Sequence, residues 1–454
     1  MALSAYTLYM AASESTALLT DMYELTMVDA ALKSGHHERR SVFELFGRRL
    51  PATRRFGVVA GTARVLEALQ RFEFTPRMID WLAEKHIVSD DCLDFLKDFR
   101  FRGRIDGYAE GECYFEGSPI LTVEGTFAEA VMLETLALSV FNHDCAVASA
   151  ASRMTIAAHG RPCMDMGARR THERAAVSAA RSAVIGGFGG TSDLEAGIRY
   201  GIPTIGTSAH AFTLLHDTED DAFKVQVDAL GTSTTLLVDT YDVYEGVERA
   251  VRIAREAGGE LGAVRIDSGD LVAQAFKVRG LLDSLGAKST KITVTCDLDE
   301  YSIAALGAAP VDSYGVGTRL VTGSGVPTAA LVYKMVARGD EHGNCVDVAK
   351  HSTSKSTVGG RKYAGRVYGA DGYATEELLV MGPRDAAMAA LKEAGARPLQ
   401  VPLVIDGEIQ TEYCSKESLQ AAKERHVKAR NELPYQGWRL SQGEPAVTTR
   451  YQRV

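Results

Sequence analysis

Between residues 161 and 338, short β-prone apolar runs alternate with segments of helical spacing. This rhythm restricts the fold more than any other feature of the chain. Strands are expected over 162–166, 203–207, 234–239, 263–267, 291–296 and 313–316, and helices over 171–185, 222–230, 243–257, 271–285 and 299–306. Gly258 and Gly259 stop one helix and Gly286 the next, as glycine does just past a helix end. Apolar strands joined through helices are parallel and covered on both faces. A closed barrel and an open doubly wound sheet both meet that condition. Polar residues recur just past many of these strands: Arg169, His210, Asp239, Asp267, Asp297 and Thr318. A barrel gathers such residues on one rim, at the carboxyl ends of its strands. An open sheet concentrates its site at one switch point instead. The expected fold class is therefore α/β, an irregular (β/α) barrel with a flanking domain on each side.

The flanks read differently. Residues 1–160 form an N-terminal α+β, sandwich-like domain, with helical segments over 17–34, 62–72 and 76–84 and turn-rich antiparallel strands over 105–123. Residues 161–340 are the catalytic barrel. Residues 341–454 form a smaller C-terminal region, part of it packing back on the N-terminal domain. It carries a basic Gly/Ser/Thr-rich run over 351–366. A length of 454 residues suits two or three domains.

The net charge of −9 argues against a nucleic-acid partner, which needs a basic face, but leaves room for a local basic pocket. Seven cysteines without a C-x-x-C pair read as reduced thiols rather than a zinc site. No signal peptide and no membrane-spanning stretch is visible, so a cytoplasmic location is expected.

Five segments carry chemistry. Met166-Gly167-Ala168-Arg169-Arg170 puts two guanidinium groups at a strand end, where they can meet a carboxylate or phosphate. Val264-Arg265-Ile266-Asp267-Ser268-Gly269-Asp270 sets Arg265 and Asp267 on one strand face, before a tight turn whose Ser268 and Gly269 amides suit an anion or sugar hydroxyls. Tyr314-Gly315-Val316-Gly317-Thr318 lets a phosphate approach bare backbone, and Lys334 lies beyond it as an added charge. Gly206-Thr207-Ser208-Ala209-His210 offers a histidine as base or nucleophile. Leu18-Leu19-Thr20-Asp21-Met22-Tyr23 starts a helix with an aromatic on its first turn. Each segment alone also has a plainer reading: a solvated helix start, an N-cap at Ser268, a simple turn, a satisfied histidine, a core tyrosine.

In this order the five segments resemble the nicotinate phosphoribosyltransferase family, over about residues 18 to 335. The resemblance implies a nicotinate site made by Tyr23, Arg169, Ser192, Thr207 and Arg265. Tyr23 would come from the neighbouring subunit of a homodimer with a shared active site. Ser268, Gly269, Gly315, Gly317, Thr318 and Lys334 would hold the phosphoribosyl donor, and Asp267 the ribose or a Mg²⁺ ion. His210 matches the histidine phosphorylated from ATP, so Mg²⁺ and ATP are the implied cofactor and co-substrate. Ser192 stands where the related nicotinamide enzyme carries an aspartate, and a neutral side chain there removes a repulsion against a carboxylate. A C-terminal zinc cluster of some relatives is not carried over, since only Cys414 stands in that region. The competing substrates on the same fold are nicotinamide and quinolinate. A different phosphate-binding barrel, such as an aldolase, is disfavoured because no lysine ends a strand between residues 161 and 291.

Overall fold

The computed structural model describes residues 15–350 and 357–454. The first part of the basic run, 351–356, lies outside the described residues. The chain divides into two compact units, one made of residues 1–149 with 328–454 and the other of residues 150–327.

The second unit realises the strand–helix rhythm. Its strands are β1 (Cys163–Asp165), β2 (Gly190–Thr191), β3 (Thr235–Leu237), β4 (Ala263–Ile266), β5 (Lys291–Val294) and β6 (Ser313–Val316). They form one parallel sheet in the order β2-β1-β6-β5-β4-β3, a half barrel. Leu236, Val264, Ile266, Ile292, Val294 and Val316 are fully buried, which is what drives the sheet together. The expected strand over 203–207 is reduced to one parallel bridge, Thr191 to Thr204, beyond β2. Pro203 and Thr204 are exposed, Pro203 has no N–H to extend the ladder, and Ile205 is only half-buried.

The helices between strands follow their caps. Asp242 accepts from the N–H groups of Tyr244 and Glu245 to start Val243–Glu256, and that helix ends before Gly258, whose φ of +83° few other residues tolerate. Asp270, not Ser268, caps Leu271–Ser284 through Ala273 N–H. These caps fix where each strand end turns outward, and so where the polar residues beyond it stand.

The first unit is mostly antiparallel. Its seven-stranded sheet runs in the order Cys345–Asp347, Leu331–Gly339, Arg40–Gly47, Leu121–Thr126, Arg104–Tyr108, Gln400–Ile405, Glu408–Ile409. The segment 331–339 thus leaves the barrel rhythm and pairs with Arg40–Gly47. The pairing of Gln400–Ile405 with Arg104–Tyr108 brings late chain into the same sheet. A four-stranded sheet contains Lys362–Tyr368, Ala374–Met381 and the terminal strand Thr448–Arg453. Ion pairs, buried at Arg366 and half-buried at Arg397, join these parts. Arg366, fully buried, donates to Glu377 (2.7 Å) and to the Cys113 carbonyl (2.8 Å), and Arg397 bonds Glu112 (2.9 Å) and Glu432 (2.7 Å).

Candidate active site

The carboxyl ends of β1, β4, β5 and β6 surround a polar cavity of about 270 Å³. Arg169, Arg170, Arg265, Asp267, Thr295, Cys296, Asp297, Gly317 and Thr318 are among its walls. A larger cavity of about 860 Å³ lies in the first unit, walled by Arg48, Arg49, Glu116 and Tyr451, but none of the residues singled out from sequence lines it. The smaller cavity is therefore the better candidate.

Arg265 is the centre of its electrostatics. Strand alternation turns it away from the core that takes its neighbours Val264 and Ile266. Burial lowers its pKa, Asp267 and Asp239 oppose that, and Arg169 adds to it. Its Nε is buried and has no hydrogen-bond partner among the described residues. A guanidinium in that condition is prepared for an anion that the free protein does not supply.

Around Asp267 the loops are knitted together. Asp239, at the end of β3, has a side chain 1% exposed. Its Oδ2 accepts from the N–H of Asp267 (2.8 Å) and from the Ser268 hydroxyl (2.7 Å). Thr295 donates to the other side of Asp267. His210, on the first turn of His210–Leu215, lies with Nδ1 3.0 Å from Thr240 Oγ1. Its Nε2 is 3.9 Å from Asp239 Oδ1 and 4.0 Å from Asp267 Oδ2. In the tautomer that donates from Nδ1 to Thr240, Nε2 carries the free lone pair. Two carboxylates beside that nitrogen repel a phosphate unless a cation intervenes.

The glycines of β6 differ in purpose. A side chain on Gly315 would collide with Met166 and Thr295, 2.6 Å from each, so close packing explains that glycine. Gly317 has ordinary room around it and faces the cavity with Thr318. Gly269 takes a φ of +81° in the turn after Asp267.

Of the residues singled out from sequence, Arg169, Arg265, Asp267, Gly315, Gly317 and Thr318 line one cavity, with His210 and Ser268 bonded or close to its Asp239–Asp267 edge. Ser192 is half-buried just past β2, and its N–H donates to the Asp165 carbonyl (2.8 Å). Thr207 is exposed in the loop before His210. Tyr23 and Lys334 belong to the first unit. There Tyr23 starts Met22–Lys33 and burial, aided by Glu134, Glu24 and Asp21, pushes its hydroxyl up to about 12. Lys334 lies 3.4 Å from Glu134. Sequence reasoning gave no site role to Asp239, Thr240, Asp165 or Thr295. The signal for Asp239 was present, an acid closing an apolar strand, but its partner His210 is 30 residues or so away and unmarked by spacing. No group of three or more His, Cys, Asp or Glu able to hold a metal occurs among the described residues, and no described helix is long and apolar enough to cross a membrane.

A half barrel whose strand ends collect guanidinium groups, free backbone and a histidine between carboxylates defines an α/β enzyme site for an anionic substrate. Comparison with known proteins narrows the class. Residues 18–142 match the family model of the nicotinate phosphoribosyltransferase (NAPRTase) N-terminal domain, and residues 162–362 that of the nicotinate phosphoribosyltransferase (NAPRTase) family. The nicotinate phosphoribosyltransferase pncB1 of Mycobacterium tuberculosis is 53% identical over 441 residues, covering 95% of this chain and 94% of the relative. That of Bacillus subtilis is 36% identical over 362 residues, 78% of this chain and 74% of the relative. The crystal structure of human nicotinic acid phosphoribosyltransferase shares the fold with a TM-score of 0.79 at 24% identity, over 95% of this chain and 98% of that one. The chain belongs to the nicotinate phosphoribosyltransferase family.

Proposed function

We propose that this protein transfers the phosphoribosyl group of phosphoribosyl pyrophosphate to nicotinate, giving nicotinate mononucleotide and pyrophosphate for NAD salvage, and that the transfer is coupled to ATP hydrolysis through a phosphohistidine at His210. The observation that carries the reading is the buried, unpartnered Nε of Arg265 beside Arg169, in the same cavity as Gly317 and Thr318. That combination offers a carboxylate its guanidinium and a phosphate its backbone.

In the reaction the bond from the anomeric carbon to pyrophosphate oxygen breaks, the bond to the pyridine nitrogen forms, and pyrophosphate leaves with its electron pair. By analogy with glycosidic cleavage the transition state is oxocarbenium-like, so holding the partners in line and stabilising the leaving charge matter more than a strong base. Arg265 and Arg169 hold the nicotinate carboxylate, with Ser192 and Thr207 as neutral neighbours. Asp267 binds ribose hydroxyls, and Ser268, Gly269, Gly315, Gly317 and Thr318 receive the donor's phosphates. Tyr23 from the neighbouring copy of a homodimer stacks on the ring, and Lys334 adds positive charge.

The donor set suits Mg²⁺, which takes one or two carboxylates and completes its shell with phosphate and water. Asp267 and the orphaned Oδ1 of Asp239 are two such carboxylates. An ion held by these two carboxylates would supply positive charge for the leaving pyrophosphate. For the coupling, His210 Nε2 takes the γ-phosphoryl group of ATP and ADP leaves; water later cleaves the N–P bond. Thr240 fixes the ring for that step.

The test is incubation with nicotinate, phosphoribosyl pyrophosphate and Mg²⁺, with and without ATP, followed by mass detection of nicotinate mononucleotide. His210→Ala is expected to keep slow transfer and to lose stimulation by ATP. Equal stimulation in the variant removes the phosphohistidine, and no product in the unaltered protein removes the whole reading.

A further inference from the structure

The end of β1 holds a buried carboxylate for which the proposed transfer has no direct use. Asp165 is 1% exposed. Its Oδ1 accepts the N–H of Gly167 at 2.8 Å, and Gly167 opens the short 3₁₀ turn Ala168–Arg170 that carries Arg169. Its Oδ2 accepts the hydroxyl of Thr191 at 2.7 Å, and Thr191 ends β2 immediately before Ser192. Its backbone carbonyl accepts the N–H of Ser192 at 2.8 Å. Thr191, itself fully buried, turns its Oγ1 as acceptor to the N–H of Asp193 at 3.0 Å, and Asp193 caps the next helix through Ala196. One side chain thus ties together the two loops that bear Arg169 and Ser192.

The chemistry of the pair of bonds is specific. Two donors, an amide and a hydroxyl, approach two different oxygens, an arrangement that a carboxylate meets without turning either partner. Asparagine has the same shape but one acceptor; with its oxygen on Gly167, its NH₂ meets Thr191, whose hydroxyl must reverse from donor to acceptor while still accepting from Asp193, and the bond loses its charge. No cation compensates the carboxylate: the charged neighbour that influences it is Asp193, and burial pushes its pKa up. A group that is buried without a counter-charge contributes little to stability in its ionised form. What it does contribute is the placement of the groups bonded to it.

We propose that Asp165 is a positioning residue for recognition of the pyridine substrate, fixing the separation between the Arg169 turn and the Thr191–Ser192 corner. This rests on the proposed function, because the loops it joins are the ones given to nicotinate there. Asp165 touches no substrate. It acts by setting the distance between a guanidinium and a neutral hydroxyl, and hence which ring substituent the rim accepts.

The experiment compares the unaltered protein with Asp165→Asn, Thr191→Val, Thr191→Ser and the Asp165→Asn/Thr191→Val pair. Nicotinate affinity is read by calorimetry, and the KM values for nicotinate and for phosphoribosyl pyrophosphate by steady-state assay. Asp165→Asn and Thr191→Val are each expected to weaken nicotinate binding by about tenfold, the weight of one hydrogen bond to a charged group. The KM for phosphoribosyl pyrophosphate should hardly move. Thr191→Ser keeps the hydroxyl and should behave like the unaltered protein. The pair should be no weaker than either single variant, because both remove the same link. Equal increases in the two KM values, additive losses, or unchanged nicotinate affinity would overturn the proposal. If Asp165→Asn does not fold, Thr191→Val against Thr191→Ser decides the matter alone. Absence of turnover in the unaltered protein would count against the proposed function, while the calorimetric comparison still reports on Asp165.

Discussion

Arg366 in the first unit and Arg265 in the second are both buried arginines on strands, yet their surroundings differ. Arg366 meets the carboxylate of Glu377, the carbonyl of Cys113 and, at 3.5 Å, Glu112, and its guanidinium lies 5.1 Å from the Phe115 ring centre. Glu377 in turn receives the hydroxyls of Tyr108 and Ser118. Its carboxylate neighbours raise the Arg366 pKa, although burial works against them. At Arg265 burial outweighs the carboxylates, the pKa falls, and Nε is left without a hydrogen bond. Both keep buried nitrogens without a hydrogen bond among the described residues, Nε and Nη1 at Arg366 and Nε at Arg265, so what separates them is charge and place: carboxylates outweigh burial at Arg366, burial outweighs them at Arg265, and only Arg265 walls the polar cavity. A buried cation whose carboxylates outweigh its desolvation reports on stability; one whose desolvation prevails at a cavity wall reports on binding.

Arg265→Met should give the largest effect. It removes the charge and keeps most of the volume. kcat/KM for nicotinate is expected to fall on the order of a thousandfold, the usual consequence of losing one partner of a desolvated charge pair. The melting temperature should stay the same or rise, because the free protein no longer holds an incompletely paired guanidinium. A variant that melts much lower but turns over normally would erase the distinction between the two arginines.

Glu377→Gln is the converse and should be somewhat smaller. It leaves Arg366 buried beside a neutral acceptor, at a cost of about 3 kcal/mol of stability. Calorimetry should show a lower melting temperature, while the folded fraction keeps its kcat/KM for nicotinate. Loss of activity without loss of stability would mean that this network belongs to the site and not to the scaffold.

The parts that were legible in the sequence are those decided by local pattern. Apolar strands such as Val264-Arg265-Ile266 announce themselves, and the barrel rule then places Arg265, Asp267 and Thr318 at one rim. The observed strand Arg104–Tyr108 and the first half of Leu121–Thr126 likewise fall in the turn-rich stretch 105–123 expected to be antiparallel. What escaped depends on which distant segments become neighbours. Asp239 bonds the backbone of Asp267, 28 residues on, only because β3 and β4 are adjacent. The strand Leu331–Gly339 continues the rhythm in sequence but finds its partner in Arg40–Gly47, some three hundred residues earlier, as the Arg39 bond to Gly339 also records. Ser268 has the look of a helix cap. The cap is Asp270, and the freed hydroxyl of Ser268 binds Asp239 instead. Local propensity permits both arrangements, and the carboxylate at the neighbouring strand end selects between them.

Ser192→Asp should produce the smallest change and the most selective one. Ser192 is held through its backbone, by the bond from its N–H to Asp165, so its side chain can be exchanged without releasing the loop. A carboxylate in its place would repel the carboxylate of nicotinate and accept an N–H from the amide of nicotinamide. Discrimination here is a difference between two affinities, and one unfavourable charge is enough to alter it. The ratio of kcat/KM for nicotinate over nicotinamide is expected to fall by about tenfold, with stability little changed. An unaltered ratio would mean that Ser192 does not face the ring. Substrate choice would then rest on Arg265 alone, and the contrast between the two units would be one of charge without shape.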